Sequence, residues 1–394
     1  MELKKIIDKK TEEIAKEIIC WRRQLHQHPE LELNCYDTAE FVSRILNYYG
    51  LEVSSGIAQT GVVGILKGGK PGLVVALRVD MDALPVQEQT NLPFASQKKG
   101  VMHACGHDGH TAIGLGTAAV LSQLRDDIKG TIKFIFQPGE ENPGGAKLMI
   151  EEGVLRNPDV NAIFGFHIFP DIPAKTVGIK YGTICASYDK LEIVLAGKGG
   201  HGAKPEQCID PIAAAGYLIT GIQSIVSRSS DPQSPLVISI CQIAGGNSYN
   251  VIPEKVMLNG TIRTLSSETE EVAKKRLSEM LKGLEIGFGI KSDMRIIPEC
   301  PALCNDLPLT KFAEDICTKL LGNAAILRLE TPSMGADDFA FFANEIPAVY
   351  LRLGCYDENK GYTHKLHTPY FDFDEAVLID GTKIFSNLLA SFLN

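Results

Sequence analysis

Short apolar runs typical of buried strands alternate along this chain with segments of helical spacing, and this alternation limits the folds open to it. Three runs rich in β-branched and aromatic residues, at 73–79, 131–136 and 162–166, are separated by segments with the periodicity of helices. Strands that alternate with helices pair in parallel and are covered by the crossover helices. The sequence therefore predicts an α/β fold with a mostly parallel sheet and helices on both of its faces.

Two local signals refine this prediction. Asn34 and Asp37 are candidate caps for a helix that ends at Gly50. The stretch 62–80 indicates two strands around a Gly-Pro turn. Both signals are short-range, so the structure tests them directly.

The pattern changes near residue 187, which predicts a second domain. The order of predicted elements from there is β-α-β-β-α-β, the ferredoxin-like arrangement, and the α/β pattern resumes at about residue 300. A chain of 394 residues also exceeds the size of most single-core domains. We therefore expect one α/β domain, residues 1–186 and 299–394, interrupted by an α+β domain, residues 187–298.

Charge and composition exclude several partners. The net charge is −9 and the isoelectric point is near 5.6, which argues against nucleic acid or an anionic membrane surface as a partner. The longest apolar runs, such as Leu73–Leu77, are too short to cross a bilayer. The charged first segment lacks the pattern of an export signal, so we expect a cytoplasmic protein whose ten cysteines are free thiols.

Chemically reactive side chains are concentrated at the ends of the predicted strands, where open α/β sheets bind their ligands. The stretch VMHACGHDGH, residues 101–110, holds three of the nine histidines of the chain. The reactive residues at or beside strand ends are Asp80, Asp82, Cys105, His107, His110, Glu140, Glu141, His167, His364 and His367. Their joint placement favours one common site.

The residue types leave three interpretations of this set open. Thiolate, imidazole and carboxylate ligands together suit Zn²⁺ or a neighbouring first-row metal. Cys105 with a nearby base would suit a cysteine nucleophile, but that assignment leaves Glu140, Glu141 and His167 without a role. A polar loop without chemistry is the third interpretation.

Seven motifs resemble, in order, those of the M20 metallopeptidase family. Within it they resemble the amidohydrolase branch of hippurate hydrolases, N-acyl-amino-acid amidohydrolases and indole-acetyl-amino-acid hydrolases. The motifs are MHACGHDGHTA, QPGEE, GFHIFP, GKGGHGAKP, NVIPEKVMLNGTIRT, MGADDFAFF and LHTP. The resemblance runs from about Arg22 to the final helix, which is nearly the whole chain.

This resemblance implies a metal-dependent amidohydrolase that cleaves N-acyl-L-amino acids with acetyl, benzoyl or similar acyl groups. Two divalent ions, Zn²⁺, Mn²⁺, Co²⁺ or Ni²⁺, would share an attacking water, and Glu140 would be the general base. The resemblance implies as metal ligands Cys105, His107, Glu141, His167 and His367.

The resemblance also gives roles to the interrupting domain, which would be a lid and the contact surface of a homodimer or of a larger assembly. His201 would reach the partner's active site and stabilise the oxyanion. Asn250 and Arg263 would contact the substrate, the guanidinium pairing with its carboxylate. The backbone around Gly335 would line the same pocket.

The chain departs from the wider family after its early strand. Related branches have a His-x-Asp motif there, whereas this chain has RVDMDALP, so Arg78 occupies the place of a ligand. A guanidinium cannot bind a cation, and Cys105 would complete the ligand set instead. The resemblance also implies a catalytic role for Asp80, but here Asp80 lacks the histidine that it would orient. We expect it instead to hold metal ligands in position through hydrogen bonds.

Other functions compete with this interpretation. A carboxypeptidase or dipeptidase of the same family would need the same carboxylate anchor, so Arg263 does not separate the two. A cysteine hydrolase predicts indifference to chelators. A binding or scaffold protein that only keeps the fold is disfavoured, because every expected ligand and the base are present.

Overall fold

A computed structural model describes residues 2–142 and 144–394. The helices are α1 (Glu2–Glu13), α2 (Ala15–Gln27), α3 (Tyr36–Tyr48), α4 (His107–Ser122), α5 (Gly145–Glu151), α6 (Pro211–Ser224), α7 (Ser267–Phe288), α8 (Leu307–Leu321), α9 (Phe339–Glu345) and α10 (Ala376–Leu393). The strands are β1 (Glu52–Ile57), β2 (Gly61–Lys67), β3 (Lys70–Asp80), β4 (Lys129–Gln137), β5 (Ala162–Pro173), β6 (Val177–Ile179), β7 (Gly182–Cys185), β8 (Tyr188–Ala196), β9 (Gly200–His201), β10 (Leu236–Ala244), β11 (Val251–Ile252), β12 (Lys255–Thr264), β13 (Lys291–Cys300), β14 (Leu303–Asn305), β15 (Ile326–Arg328) and β16 (Ala348–Tyr356).

The chain forms two compact units. The first comprises Met1–Ile184, Cys304–Thr331 and Asp337–Asn394, and the second comprises Cys185–Leu303 and Pro332–Ala336. The short segment 332–336 groups with the second unit, where the carbonyl of Met334 accepts a hydrogen bond from Arg263. The boundaries predicted from the sequence assigned this segment to the first domain, within residues 299–394, and they stay a prediction.

The first unit is built on an eight-stranded sheet with the order β1-β2-β4-β3-β5-β16-β6-β15. Its four central strands, β4, β3, β5 and β16, are parallel, whereas β1, β2 and β4 pair antiparallel. The registers Leu77↔Phe134 and His167↔Arg352 fix the alignment of the centre. This arrangement brings the carboxyl ends of β3, β4 and β5 to one edge.

Two groups of helices pack on the central strands. α4 and α10 pack on β3 and on one another, while α5 and α9 pack together against β4 and β5. Phe134, Phe136, Phe164 and Phe166 in the central strands are almost fully buried, as expected for strands covered on both faces. The predicted α/β fold with a mostly parallel sheet is confirmed.

The second unit contains a four-stranded antiparallel sheet with the order β10-β12-β8-β13. Its elements follow one another as β8, α6, β10, β12, α7 and β13, which is the predicted ferredoxin-like order. Leu191, Leu218, Leu258 and Leu277 from the sheet and both helices form its own hydrophobic core.

The helix and the two strands of the short-range predictions are present as α3, β2 and β3, but the predicted cap residues and the predicted position of the turn were wrong. The N-cap of α3 is Cys35, and the Glu30 carboxylate accepts hydrogen bonds from the backbone N–H groups of Asp37 and Thr38 instead of a side chain within the predicted cap. The turn before β3 lies at 68–69, so Pro71 is inside the strand, and β4 lies between β2 and β3. Local sequence patterns do not show a hydrogen bond between residues seven positions apart, such as Glu30 and Asp37, and they do not show the order of strands in a sheet.

Helix α10 is long and apolar enough to cross a membrane by length and composition alone. However, 67% of it is buried, and it packs on α1, α4 and β3 as the core helix of a folded domain does. We therefore take α10 as part of the core of the first unit.

Candidate metal centre

The loop before α4 places Cys105 and His107 on the same side of the sheet edge. Between them, Gly106 has a φ of 85°, a left-handed conformation that a side chain disfavours. In the first turn of α4, a Cβ at Gly109 would lie 2.6 Å from the ring of Phe373 and 2.8 Å from Ile168. The glycines thus allow a sharp turn and close packing next to the predicted ligands.

Five predicted ligands from four segments converge here. Cys105 Sγ lies 3.2 Å from His167 Nε2 and 3.3 Å from His367 Nε2, and His367 Nε2 lies 3.1 Å from Glu141 Oε1. The donor atoms form two groups that share Cys105, one with His107 and His167 and one with Glu141 and His367, each within 4.8 Å. A further group joins His107, Glu140 and Glu141.

Hydrogen bonds at the far ring nitrogens prepare two of the histidines as ligands. His107 Nδ1 donates to the carbonyl of Asp82 at 2.8 Å, and His167 Nδ1 donates to the carbonyl of Ile168 at 2.5 Å. Each Nε2 therefore faces the cluster, the orientation seen in metal-binding histidines. Among the described residues, the buried His107 Nε2 has no hydrogen-bond partner.

The charges of the cluster favour a bound cation. Burial lowers the pKa of His107, but the charges of Asp80 and Asp82 outweigh it and raise that pKa to about 10. A proton on this imidazole occupies the position that a metal ion would take. Burial and the charges of Glu141 and Glu140 raise the pKa of the Cys105 thiol well above its ordinary value. Without a nearby cation, the thiolate that a cysteine nucleophile needs is therefore disfavoured, whereas a bound metal ion would itself stabilise it. The residues thus fit a metal better than a cysteine hydrolase.

The loop that carries Glu140 and Glu141 is fixed by two aspartates. The Asp82 carboxylate accepts hydrogen bonds from the backbone N–H groups of Glu140 and Glu141, at 3.0 and 3.1 Å. Asp338 accepts from Gln137, which precedes the loop, and from the backbone of Ala146, which follows it. Neither role was predicted. The position of Asp82, two residues beyond Asp80 at the same strand end, was the signal available for it.

Glu140 lies in an acidic and partly desolvated position. Burial, with the charges of Asp337 and Glu141, raises the pKa of Glu140 well above its ordinary value. Asp337 and Asp338 do more than cap α9, the minimal role that a sequence gives such a pair. Tyr350 donates its hydroxyl hydrogen to Asp337, and Arg78 Nη2 donates to Asp338 at 2.8 Å.

Asp80 and Arg78 form a hydrogen-bond network next to the cluster. Asp80 accepts hydrogen bonds from Arg78 Nη1 at 2.7 Å and from His110 Nδ1 at 2.6 Å. His110 Nε2 accepts in turn from the backbone N–H of Ile168, next to His167, so both of its nitrogens are engaged. Arg78 is fully buried, and its Nε donates to Gln137. Asp80 therefore lies behind the ligands and connects to His167 through His110.

The remaining predicted site residues belong to the second unit. His201 is exposed and pairs with Val251 in a two-stranded ribbon, and its Nδ1 accepts a hydrogen bond from the backbone of Ala203 at 3.1 Å. In the neutral ring the hydrogen is then on Nε2, which is free to donate. Asn250 is also exposed; its carbonyl accepts from Gly202, and its side chain accepts from Ser248 at 2.7 Å.

Arg263 and Gly335 are neighbours within this unit. Arg263 lies with its guanidinium carbon 4.7 Å from the ring centre of Tyr188, and its Nη1 donates to the carbonyl of Met334 at 3.1 Å. Gly335 follows Met334, and its carbonyl accepts from the backbone of Ala186. Among the described residues, the Met334 carbonyl is the one acceptor bonded to this guanidinium, so its other N–H groups are left for further acceptors.

Known proteins resemble this chain over almost all of its length. The N-acetylcysteine deacetylase of Bacillus subtilis is 41% identical over 94% of this chain and 95% of its own length. Thermostable carboxypeptidase 1 of Saccharolobus solfataricus is 38% identical over 100% of both chains. The crystal structure of a dinuclear metal-binding M20 peptidase from Bacillus subtilis superposes with a TM-score of 0.85, at 38% identity, over 97% of this chain and 99% of the other.

The family model extends over most of the chain. The model of peptidase family M20/M25/M40 matches residues 76–391, which include the second half of β3, the Cys105 loop, the Glu140 loop and His367. The chain belongs to peptidase family M20/M25/M40.

Proposed function

We propose that this protein is a metal-dependent amidohydrolase that cleaves the amide bond of N-acyl-L-amino acids. The observation that carries the proposal is the convergence of Cys105, His107, Glu141, His167 and His367 beside Glu140 at one sheet edge. The deacetylase relative, named for N-acetylcysteine, supports an N-acyl amino acid as the substrate class.

The five converging residues would hold two divalent ions, for which Zn²⁺, Mn²⁺, Co²⁺ and Ni²⁺ are the candidates. Such ions supply Lewis-acid chemistry, because they polarise the amide carbonyl and lower the pKa of a water molecule. His107 and His167 direct their Nε2 atoms at the cluster, and Glu141 adds a carboxylate. Asp80 would hold the His167 strand in place through His110.

Glu140 would act as the general base and then as the general acid. Its carboxylate takes a proton from the attacking water and returns it to the departing amine as the C–N bond breaks. The Asp82 carboxylate fixes the backbone of this residue, and burial favours its protonated form. Glu140 is therefore placed both to receive a proton and to hold it until the amine leaves.

We assign substrate contacts to the second unit. Arg263 would pair with the substrate carboxylate, since Tyr188 and Met334 orient its guanidinium and leave donors free. Asn250 and the backbone at Gly335 would complete this contact. His201, whose Nε2 is free to donate, would stabilise the oxyanion of the partner subunit's reaction.

A homodimer through the second unit is part of this proposal. β10 is an edge strand of the four-stranded sheet, and its second half is exposed. Exposed apolar side chains of the same unit include Tyr217, Ile243 and Met257. An exposed edge strand beside apolar side chains is suited to pairing with a second copy. We place the protein in the cytoplasm, where thiols such as those of Cys35, Cys105 and Cys317 stay reduced.

A substrate comparison tests this function against its nearest alternative. We expect kcat/KM to be at least about tenfold higher for N-acetyl-methionine and hippurate than for Gly-Met or benzoyl-Gly-Met. A pocket for a small uncharged acyl group disfavours both the ammonium group of Gly-Met and the additional residue of benzoyl-Gly-Met. The measurement is amine release from each substrate at saturating metal.

The opposite ranking would favour a carboxypeptidase or dipeptidase, the function in the name of the Saccharolobus relative. Equal and near-zero rates on all four substrates, with metal bound, would contradict both assignments.

A further inference from the structure

A buried arginine on α2 connects two segments that are far apart in the chain. The Arg22 side chain is 1% exposed; its Nε donates to Asp108 at 3.0 Å and its Nη2 donates to Asp372 at 2.6 Å. The third branch, Nη1, lies 3.4 Å from Glu375. The guanidinium thus binds carboxylates from two directions at once.

The two connected segments are those that carry three of the proposed metal ligands. Asp108 directly follows His107 in the first turn of α4, three residues after Cys105. Asp372 lies five residues after His367, in the stretch between that histidine and α10. Within this network, Arg22 contacts both segments but none of the ligands themselves.

Local packing holds the guanidinium in this position. Its carbon lies 4.1 Å from the centre of the Phe373 ring and 5.0 Å from that of Phe94. Asp108 is held from a second side by His26 Nδ1 at 2.8 Å, and His26 Nε2 lies 3.2 Å from Glu88. A planar fork that stacks on a ring and binds two carboxylates is a function of arginine that lysine does not reproduce.

The backbone of His367 explains why its segment needs such a connection. His367 has a φ of 62°, in the left-handed region that a side chain disfavours, and its ring is about half exposed. The fold contacts that hold it include the hydrogen bond from its backbone N–H to Ala104, in the Cys105 loop, at 2.8 Å. The position of this ligand relative to Cys105 therefore depends on contacts between the two segments.

We infer that Arg22 is a positioning residue of the metal centre, which sets the distance between the Cys105–His107 loop and the His367 segment. This inference rests on the metal ligands assigned in the proposed function. It gives a role to the RRQLHQHPEL stretch, where Arg22 and His26 share a helix face at a spacing of four residues.

The test uses Co²⁺ as the probe of the metal-free full-length protein. Thiolate ligation of Co²⁺ gives a near-ultraviolet charge-transfer band, so the spectrum reports Cys105 directly, and titration gives the Kd. We expect Arg22→Met and Asp372→Asn each to raise the Kd for Co²⁺ by about 10- to 100-fold, as loss of ligand support does elsewhere. Arg22→Lys should fail to restore the wild-type Kd.

Arg23→Met is the matched control. Arg23 is adjacent and also pairs with Glu375, but it is 49% exposed and has no contact with Asp108. The Kd of the Arg23→Met variant for Co²⁺ should change by less than about fivefold, the largest effect expected from loss of a surface ion pair. Asp372→Asn keeps the Arg22–Asp108 pair, so it decides the question if Arg22→Met does not fold.

Wild-type Kd and spectrum in folded Asp372→Asn would overturn the inference and leave the proposed function intact. An equal loss in Arg23→Met would also overturn it, because weakening of α2 would then be sufficient. Failure of the wild-type protein to bind Co²⁺ would overturn both the inference and the proposed function.

Discussion

Replacing Glu140 by glutamine should abolish nearly all hydrolysis while leaving the metal in place. Glutamine has the shape of glutamate but cannot accept a proton from water, and loss of a general base lowers kcat by about 10²- to 10⁴-fold. The proposed ligands do not include Glu140, so bound metal should be unchanged. The measurement combines kcat on N-acetyl-methionine with elemental analysis of the same sample.

Glu151→Gln is the control for this substitution, because Glu151 is an exposed glutamate on α5. It should keep the wild-type kcat. Activity retained in Glu140→Gln would remove the assignment of the base. Loss of metal in proportion to the loss of activity would show that Glu140 is a ligand instead.

Replacing His201 by alanine should lower kcat by about 10²- to 10³-fold, the effect of losing one oxyanion donor. His201 is exposed, and among the described residues its side chain bonds only to the backbone of Ala203, so the thermal midpoint of unfolding should change little. Metal content should equal that of the wild type. Lys291→Ala, an exposed cation on β13 of the same unit, is the control and should leave kcat unchanged.

Mixing the two inactive variants tests whether His201 acts across the dimer. In a mixed dimer of Glu140→Gln and His201→Ala subunits, one of the two sites would contain both an intact base and an intact His201. Random exchange should therefore restore about a quarter of wild-type activity. No recovery after subunit exchange, verified by a size or tag assay, would place His201 in the site of its own chain.

The fold was predictable from the sequence where local pattern determines it. Buried strands such as β4 are continuous apolar runs, and the β-α-β-β-α-β order of the second unit follows from the order of its patterns. The position of β4 between β2 and β3 was not predictable, because pairing partners depend on contacts far apart in sequence. The same holds for the Glu30 carboxylate at the start of α3.

The candidate site also contains residues that the sequence indicates and residues that only the structure reveals. Cys105, His107 and Glu141 belong to stretches rich in thiol, imidazole and carboxylate groups, and this local clustering is visible in the sequence. The supports are common residue types whose roles exist only in three dimensions. Asp82, two residues beyond the end of β3, binds the Glu140 loop, and Arg22 on α2 binds Asp108 on α4, which is 86 residues away in the chain. Such long-range partners carry no local signal apart from the helical spacing of Arg22 and His26.

In the proposed function, hydrolysis depends on metal held by the Cys105–His367 cluster, so removal of the metal should remove the activity. The measurement is hydrolysis of N-acetyl-methionine after chelation, followed by single additions of Zn²⁺, Mn²⁺, Co²⁺ or Ni²⁺. We predict loss of activity with loss of metal, and recovery with one or more ions at about two per chain. Full activity in protein shown by elemental analysis to be free of metal would contradict the account and assign the chemistry to Cys105 as a nucleophile.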